Sequence, residues 1–352
     1  MSADVVSLIT GARGQLGSHI AEQLRAAGVP VRALVRPGKD AAFLRGLGVD
    51  LVEVDLRDPA TVRRAVAGAG VVYHCAARVS DWGPWSVFEE EAVTATRNLV
   101  NACKTADVGR LLHVSSISVY GHPKLGPDEL ITEDVPLGQR FWMWDYYPRA
   151  KLLAEQIAWE FPRVTVVRPS WLYGPRDRVT IPRIVPAILA RRVPILGSGD
   201  NLLNIIYAGD VAAGAILAAN KPQALGQAYN LCSEGEVTQR DLLNSMTDSL
   251  ALPRVTKRLP YFVAMRFAFL QEALARLLRR STPPTITRRA VYLVGRSTRF
   301  SIAKAAAQLG WRPRTRIQEG VRRTLEWYFG LEENRHIQIT LPVLADTLTG
   351  RH

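Results

Sequence analysis

The stretch "DVVSLITGARGQLGSHIAEQLRAAG", residues 4–28, joins a short apolar run to a helical pattern through glycines at positions 11, 14 and 17. In a strand–turn–helix unit that meets a pyrophosphate, one glycine makes the tight turn, one lets the phosphates approach the backbone, and one permits close helix–strand packing. A strand before and a helix after separate such a pattern from a chance run of glycines. The stretch therefore predicts a dinucleotide-binding βαβ unit, with Gly11, Arg13, Gly14, Gln15, Leu16 and Gly17 lining the cofactor.

The same rhythm continues outward. "VPVRALVR" (29–36), "VDLVEVDL" (49–56) and "VVYHCAA" (71–77) read as strands, with helical stretches at 17–27, 39–47 and 59–67 between them. A long helix over about 85–105, a strand "RLLHVSSISVY" (110–120), a helix beginning near Tyr147 and a strand "RVTVVRPS" (163–170) follow. Strands alternating with helices at this spacing imply an α/β fold with a doubly wound parallel (Rossmann) sheet. After Pro175 the pattern breaks into Pro- and Gly-punctuated pieces. The expected organisation is a Rossmann domain mainly within 1–175, a smaller C-terminal substrate-binding lobe mainly within 176–330 with a returning strand near 204–232, and a tail at 331–352.

Composition sets outer bounds. The 352 residues are 47% hydrophobic and 22% charged, as in ordinary globular proteins. Three cysteines without CxxC spacing fit a reducing compartment. The start "MSADVVSLITG" lacks the basic flank of a signal peptide and its apolar run is too short to span a bilayer, so a cytoplasmic location is expected. The net charge of +13 is concentrated: residues 254–323 hold 17 Lys or Arg against two acids, while the remainder holds 28 basic and 30 acidic residues. No nucleic-acid recognition motif accompanies this charge, and nucleic acid is not an expected partner. No His/Cys/Asp cluster has metal-ligand spacing, so no metal is expected.

The end of the second strand reports on the cofactor. An acid at this place binds the ribose hydroxyls of NAD(H), whereas a base accommodates the 2′-phosphate of NADP(H). Here the strand ends "LVRPGKD", with Arg36 at the deciding place and Lys39 behind it, and Arg13 in the glycine loop offers a second guanidinium. NADP(H) is the expected cofactor and NAD(H) the alternative. Asp55, followed by Leu56, stands where it can reach the adenine.

In "WDYYPRAKLLAE", residues 144–155, two tyrosines precede Lys151. Residues four apart share a helix face, which pairs Tyr147 rather than Tyr146 with Lys151. Pro148 suits a first helical turn and disfavours helical geometry in the residue before it, placing Tyr147 at the helix mouth. A phenol there feels the helix dipole and the nearby ammonium, and both favour phenolate.

"TGARGQLG", "YHCAA", "HVSSISVYG", "YPRAK" and "RPSWLYGPRD" together resemble the extended short-chain dehydrogenase/reductase superfamily, in order and in spacing, across about residues 4–330. The most similar branch contains 3β-hydroxysteroid dehydrogenases, sterol-4-carboxylate dehydrogenases and 2-alkyl-3-oxoalkanoate reductases, alongside NAD-dependent epimerase/dehydratases. The resemblance implies a catalytic Ser116, Tyr147 and Lys151. Tyr147 then exchanges a proton with the substrate oxygen, Lys151 lowers its pKa and binds the nicotinamide ribose, and Ser116 holds the reacting oxygen. Ala76, Ala77 and Pro169 are then expected beside the cofactor. Two departures stand out: Ala92 occupies the place of the family's helix asparagine, and Ala150 that of the serine before the lysine. The resemblance also implies a homodimer through the helices at 85–105 and 147–160.

Aromatic residues crowd the pocket-forming segments. Trp82 and Trp85 in "SDWGPW", and Phe141, Trp142 and Trp144 in "FWMWDYY", suggest an apolar wall above the cofactor. The expected reaction is interconversion of a ketone and a secondary alcohol on a hydrophobic, sterol-like or 2-alkyl-3-oxo acid-like substrate. The alternatives are a nucleotide-sugar epimerase or dehydratase with the same triad, and a cofactor-sensing scaffold without turnover. Within 259–280, Val263, Phe267, Leu270, Leu274 and Leu277 form a helical stripe with arginines nearby. Such a helix either meets an anionic membrane surface or buries its stripe in the lobe.

Overall fold

The computed structural model describes residues 5–331 and 334, except 125, 127, 128 and 234. The described residues fall into two compact units: one spans 5–170 with Gly209–Ser233 and Phe300–Pro313, the other Trp171–Ala208, 235–299, 314–331 and 334.

The first unit is built on seven parallel strands. β1 (Val6–Thr10), β2 (Val31–Val35), β3 (Asp50–Glu53), β4 (Ala69–His74), β5 (Arg110–Val114) and β6 (Val164–Pro169) are joined by the strand Ala228–Leu231 in the order (228–231)-β6-β5-β4-β1-β2-β3. The order reverses between β1 and β4, which opens a crevice at their carboxyl ends. All six residues of β6 are buried, the continuous pattern of a strand covered on both faces. The helices are α1 (Gln15–Ala26), α2 (Ala42–Gly46), α3 (Pro59–Val66), α4 (Trp85–Phe88), α5 (Ala95–Thr105) and α6 (Tyr146–Ala158). One face of the sheet, with Leu8, Val72, Leu111 and Val166, is covered by Val62, Leu99, Val100 and Ile157 from α3, α5 and α6.

Local signals account for several boundaries. α1 buries Leu16, Ile20 and Leu24 at helical spacing. α3 starts where Asp58 accepts from the Ala60 N–H at 2.9 Å and Pro59 fills the first helical position. The strand expected over 110–120 ends instead at Val114. Ser116 accepts a hydrogen bond from the Ser118 N–H and starts a 3₁₀ turn, Ile117–Tyr120. Gly121 leaves that turn at φ 73°, where a Cβ would stand 1.9 Å from the Gln139 carbonyl oxygen, so only glycine fits.

In the second unit, Trp171–Tyr173 pairs in parallel with Ile205–Tyr207, and Ile181–Leu189, Gln239–Ser249 and Ile317–Gly330 supply helices around an apolar core. The helix Tyr261–Leu277 packs separately on Arg288–Gly295 through Ala264, Ala268 and Val291. Two segments from the block expected as a substrate lobe, 209–233 and 300–313, cluster with the first unit. The reason is backbone pairing: Ala228–Leu231 hydrogen-bonds along β6 and is buried throughout, and Phe300 bridges to Ile131.

Candidate active site

The glycine turn lies at the switch point between β1 and β4. Gly11 has φ 64°, and a Cβ there would come within 2.6 Å of the Ala76 backbone nitrogen. On Gly17 a Cβ would meet the Gly11 carbonyl oxygen at 2.4 Å. Gly14 is different: its φ is an ordinary −72°, and a Cβ would touch only Gly11 O, at 3.1 Å. Position 14 is exposed at the mouth of α1, whose first turn, opened by Gln15 and the buried Leu16, carries no acidic side chain. Its first N–H groups have no acceptor within the helix, and the bare glycine leaves a cradle that suits a pyrophosphate.

The segment after β4 is tied to this turn. The Thr10 hydroxyl accepts from the Ala76 N–H at 3.2 Å and pairs with His74 Nδ1 at 2.7 Å, while His74 Nε2 meets Thr96 Oγ1 at 2.9 Å. Ala76 and Ala77 are half-buried beside it. Burial, reinforced by the Lys151 charge, lowers His74 to about 3 from an ordinary 6.5, so a neutral ring bridges the two threonines. His113, its ring centroid 5.3 Å away, is held well below its usual range by burial and by His74 and Lys151. An unfolded chain protonates both rings near 6.5, so between that pH and about 3 it binds more protons than the fold does. Stability is therefore expected to fall as pH drops through this window. Urea midpoints at pH 7, 5 and 4 check this: His74→Gln should flatten the decline in part, and an unchanged slope would refute the assignment.

At the end of β2, Arg36 is exposed, and its guanidinium meets Glu91 at 3.3 Å. The other oxygen of Glu91 meets Arg78 at 3.5 Å. Arg13 donates from Nε to the Asp40 carbonyl oxygen, and Lys39 is exposed. Asp55 accepts from the Arg57 N–H at 2.9 Å and from its guanidinium at 2.6 Å; the Arg57 hydrogen bonds hold its carboxyl below the usual range. Asn98 clamps the Leu56 and Arg57 carbonyls at 3.0 and 3.1 Å. A shallow cleft of about 370 Å³ here is lined by Asp55, Arg57, Asp58, Glu90 and Thr94. Arg57, Arg78, Glu91 and Asn98 escaped the sequence reading, since nothing local marks an ion pair between residues 36 and 91.

α6 carries both members of the Tyr-x-x-x-Lys pair. It begins at Tyr146, so Tyr147 is already helical despite Pro148. The Tyr146 ring before it packs edge-on against Trp85 at 5.8 Å and Phe88 at 6.1 Å. Tyr147 is half-buried one turn before Lys151. Lys151 is buried and donates from Nζ to the Val114 carbonyl oxygen at 2.7 Å. Burial lowers its pKa to about 8, with Cys75 and Glu155 pulling the other way. Val114 ends the strand that leads to the two serines. Ser115 is buried, whereas Ser116 is half-buried at the turn. The departures Ala92 and Ala150 meet in one buried cluster with Phe88. Apolar packing thus occupies the place where the resemblance implies two polar side chains.

Beneath α6 lies a buried ionic network. Arg168, beside the buried Pro169, gives its guanidinium to Glu155 at 2.6 Å and to the Tyr120 hydroxyl at 2.8 Å. Tyr120 in turn donates to Asn230 Oδ1 at 2.8 Å. The sequence reading missed Glu155, Arg168 and Tyr120; Glu155 stands four residues beyond Lys151, a helical interval that could have found it.

The aromatic residues divide. Trp82 is 4% exposed. Trp85 borders Tyr146, and Trp142 stacks on His122 at 4.0 Å. Trp142 and Trp144 are half-buried, the latter at φ 68°.

A parallel sheet reversing its order beside a glycine turn and a helix mouth defines the class of doubly wound dinucleotide-binding proteins. The model of the NAD-dependent epimerase/dehydratase family matches residues 7–232, and the chain belongs to that family, which is one of enzymes. It is 30% identical to a 2-alkyl-3-oxoalkanoate reductase from Shewanella oneidensis, over 90% of this chain and 84% of that protein. It is likewise 30% identical to a 4-hydroxy-2-methyl-3-oxo-4-farnesyl-3,4-dihydroquinoline-1-oxide ketoreductase from Stigmatella aurantiaca, over 90% and 94%. The crystal structure of gox2253 superposes with a TM-score of 0.76 at 28% identity, covering 92% of this chain and 98% of that one.

Proposed function

We propose that the protein is an NADP(H)-dependent oxidoreductase interconverting a ketone and a secondary alcohol on a hydrophobic substrate of the sterol or 2-alkyl-3-oxo acid type, drawn from a membrane surface. The observation that carries this reading is the buried Lys151, anchored at 2.7 Å to the end of β5 and one turn from Tyr147. The glycine turn and the open mouth of α1 suit the pyrophosphate; Gly11, Gly14, Gln15, Leu16 and Gly17 would hold it, with Ala76, Ala77 and Pro169 nearer the ring. A bound nicotinamide supplies or accepts the hydride. Tyr147 gives its proton to the carbonyl oxygen in reduction and takes it back in oxidation. The Lys151 ammonium favours the deprotonated phenol, and Ser116 donates a hydrogen bond to the reacting oxygen. The unit with the seven-stranded sheet binds the cofactor, and the other unit is the substrate lobe.

The two relatives, named for a 2-alkyl-3-oxoalkanoate and for a farnesylated quinoline, support an apolar substrate. Half-buried Trp85, Trp142 and Trp144 are candidates for its wall; Trp82 is too buried to meet it without movement. Leu153 on α6 and Trp159 just beyond its end are exposed, and these support a homodimer through 85–105 and 147–160. Nicotinamide absorbance, followed with 3-ketosteroids and long-chain 2-alkyl-3-oxo acids, tests the reaction. Absence of turnover with every one of them would sink it.

Cofactor choice turns on Arg36, with Arg13 and Lys39 in support. Losing a charge-assisted contact to the 2′-phosphate should lower kcat/KM for NADPH about 10- to 100-fold in Arg36→Ala, with NADH little changed. Glu91→Gln releases Arg36 and should move the preference further toward NADPH. Equal use of both cofactors by wild type and Arg36→Ala would refute the Arg36 contact, and a preference for NADH would assign the site to NAD(H). The second reading, a nucleotide-sugar epimerase or dehydratase, is favoured by the family match itself. Nicotinamide that stays bound through purification, with no net turnover of ketones, would select it.

A further inference from the structure

The helix Tyr261–Leu277 turns its small residues inward and its large apolar residues outward. Ala264, Ala268 and Ala275 are buried, and the buried Glu272 accepts from the Arg288 guanidinium at 2.7 Å and from its N–H at 2.8 Å. This fastens the helix to Arg288–Gly295 by its narrow face. The stripe Val263, Phe267, Leu270, Leu274 and Leu277 lies opposite, 40%, 53%, 64%, 54% and 79% exposed. The expectation that the lobe buries this stripe is overturned: close packing needs the alanine side, and the salt bridge fixes which side that is.

A run of this kind, with Leu278 beyond it at 54% exposure, amounts to several hundred Å² of apolar surface, the size at which a surface patch marks an interaction site. Its margin is basic. Arg266, Arg279 and Arg280 are exposed alongside, within the segment 254–323 that carries 17 basic residues against two acidic ones. The helix is not a membrane span, since no helix among the described residues is long and apolar enough to cross one. An apolar face rimmed by arginine fits the interfacial zone of a bilayer rich in anionic phospholipid, where acyl chains cover the stripe and headgroup phosphates meet the guanidinium groups.

We propose that the outward face of Tyr261–Leu277 docks the protein on an anionic membrane surface. Only the purpose of docking, access to a lipid-soluble substrate, rests on the oxidoreductase reading; the docking itself does not.

Flotation of the full chain with vesicles tests it without any need for turnover. Wild type is expected to float with phosphatidylcholine vesicles containing phosphatidylglycerol, and at least tenfold less with pure phosphatidylcholine or in high salt. Leu270→Ser/Leu274→Ser should lose at least tenfold in partitioning, and Arg266→Gln/Arg279→Gln should lose binding only to the anionic vesicles. All four positions are exposed, so unchanged thermal unfolding confirms that the variants fold. Failure of wild type to float, or flotation of the leucine variant like wild type, overturns the proposal. A dimer in solution that Leu270→Ser/Leu274→Ser dissociates, with no flotation, overturns it in favour of a second copy as the occupant. Ketone turnover in the absence of vesicles reports on the oxidoreductase reading alone, so the two failures are distinguishable.

Discussion

Tyr147→Phe is expected to lower kcat by about 10²- to 10⁴-fold while leaving thermal unfolding near that of wild type, because positioned proton transfer contributes on that scale. The substitution removes one hydroxyl from a half-buried side chain and leaves the ring in place. A structural role would show in stability, and a chemical role shows in turnover alone. Tyr146→Phe is the internal control: its ring is held edge-on by Trp85 and Phe88, and it should keep most activity. A Tyr147→Phe enzyme with wild-type kcat would defeat the proposed chemistry. The Lys151 pKa of about 8 adds a pH signature. If its charged form supports Tyr147, activity declines as pH rises through that value, and Lys151→Arg should move the decline to higher pH.

Glu155→Ala should cost about 3–5 kcal/mol of stability, since it leaves the Arg168 guanidinium buried without its counter-charge. Both side chains are nearly inaccessible, at 0% and 5% exposure, so bulk solvent does not screen the uncompensated charge. The same network reaches Tyr120 and Asn230 and so joins α6, the turn after Ser116, β6 and the strand Ala228–Leu231. Guanidinium unfolding measures the loss. Glu155→Met/Arg168→Met removes both charges together and should recover much of it, because apolar replacement of a whole buried pair is often neutral. A single mutant as stable as wild type would mean that the pair contributes nothing net.

Much of the sheet was legible locally. Gly11, Gly14 and Gly17 between an apolar run and a helical pattern mark β1 and α1, because the backbone leaves no room for a Cβ at 11 and 17 and a bare position 14 leaves room for a pyrophosphate. The four-residue interval between Tyr147 and Lys151 placed them on one helix face whatever surrounds them. Ser116 was less clear, since strand alternation separates it from Ser115 but does not reveal the 3₁₀ turn that ends β5 early. That turn depends on Gly121 lying against Gln139, a contact that no local pattern announces.

Periodicity in the sequence determined the parallel sheet, the phosphate-suited turn and the Tyr–Lys spacing, all properties of residues within a few turns of one another. Only the tertiary structure decided that Glu91 engages Arg36 and Arg78, that Glu155 and Arg168 meet in the interior, and that 209–233 and 300–313 join the first unit. It also decided that the stripe on Tyr261–Leu277 faces outward. An apolar pattern states that a face needs cover but not what covers it; here three alanines and the Glu272–Arg288 pair took the inner side. Each of these outcomes rests on groups distant in sequence whose proximity arises only when the chain has folded.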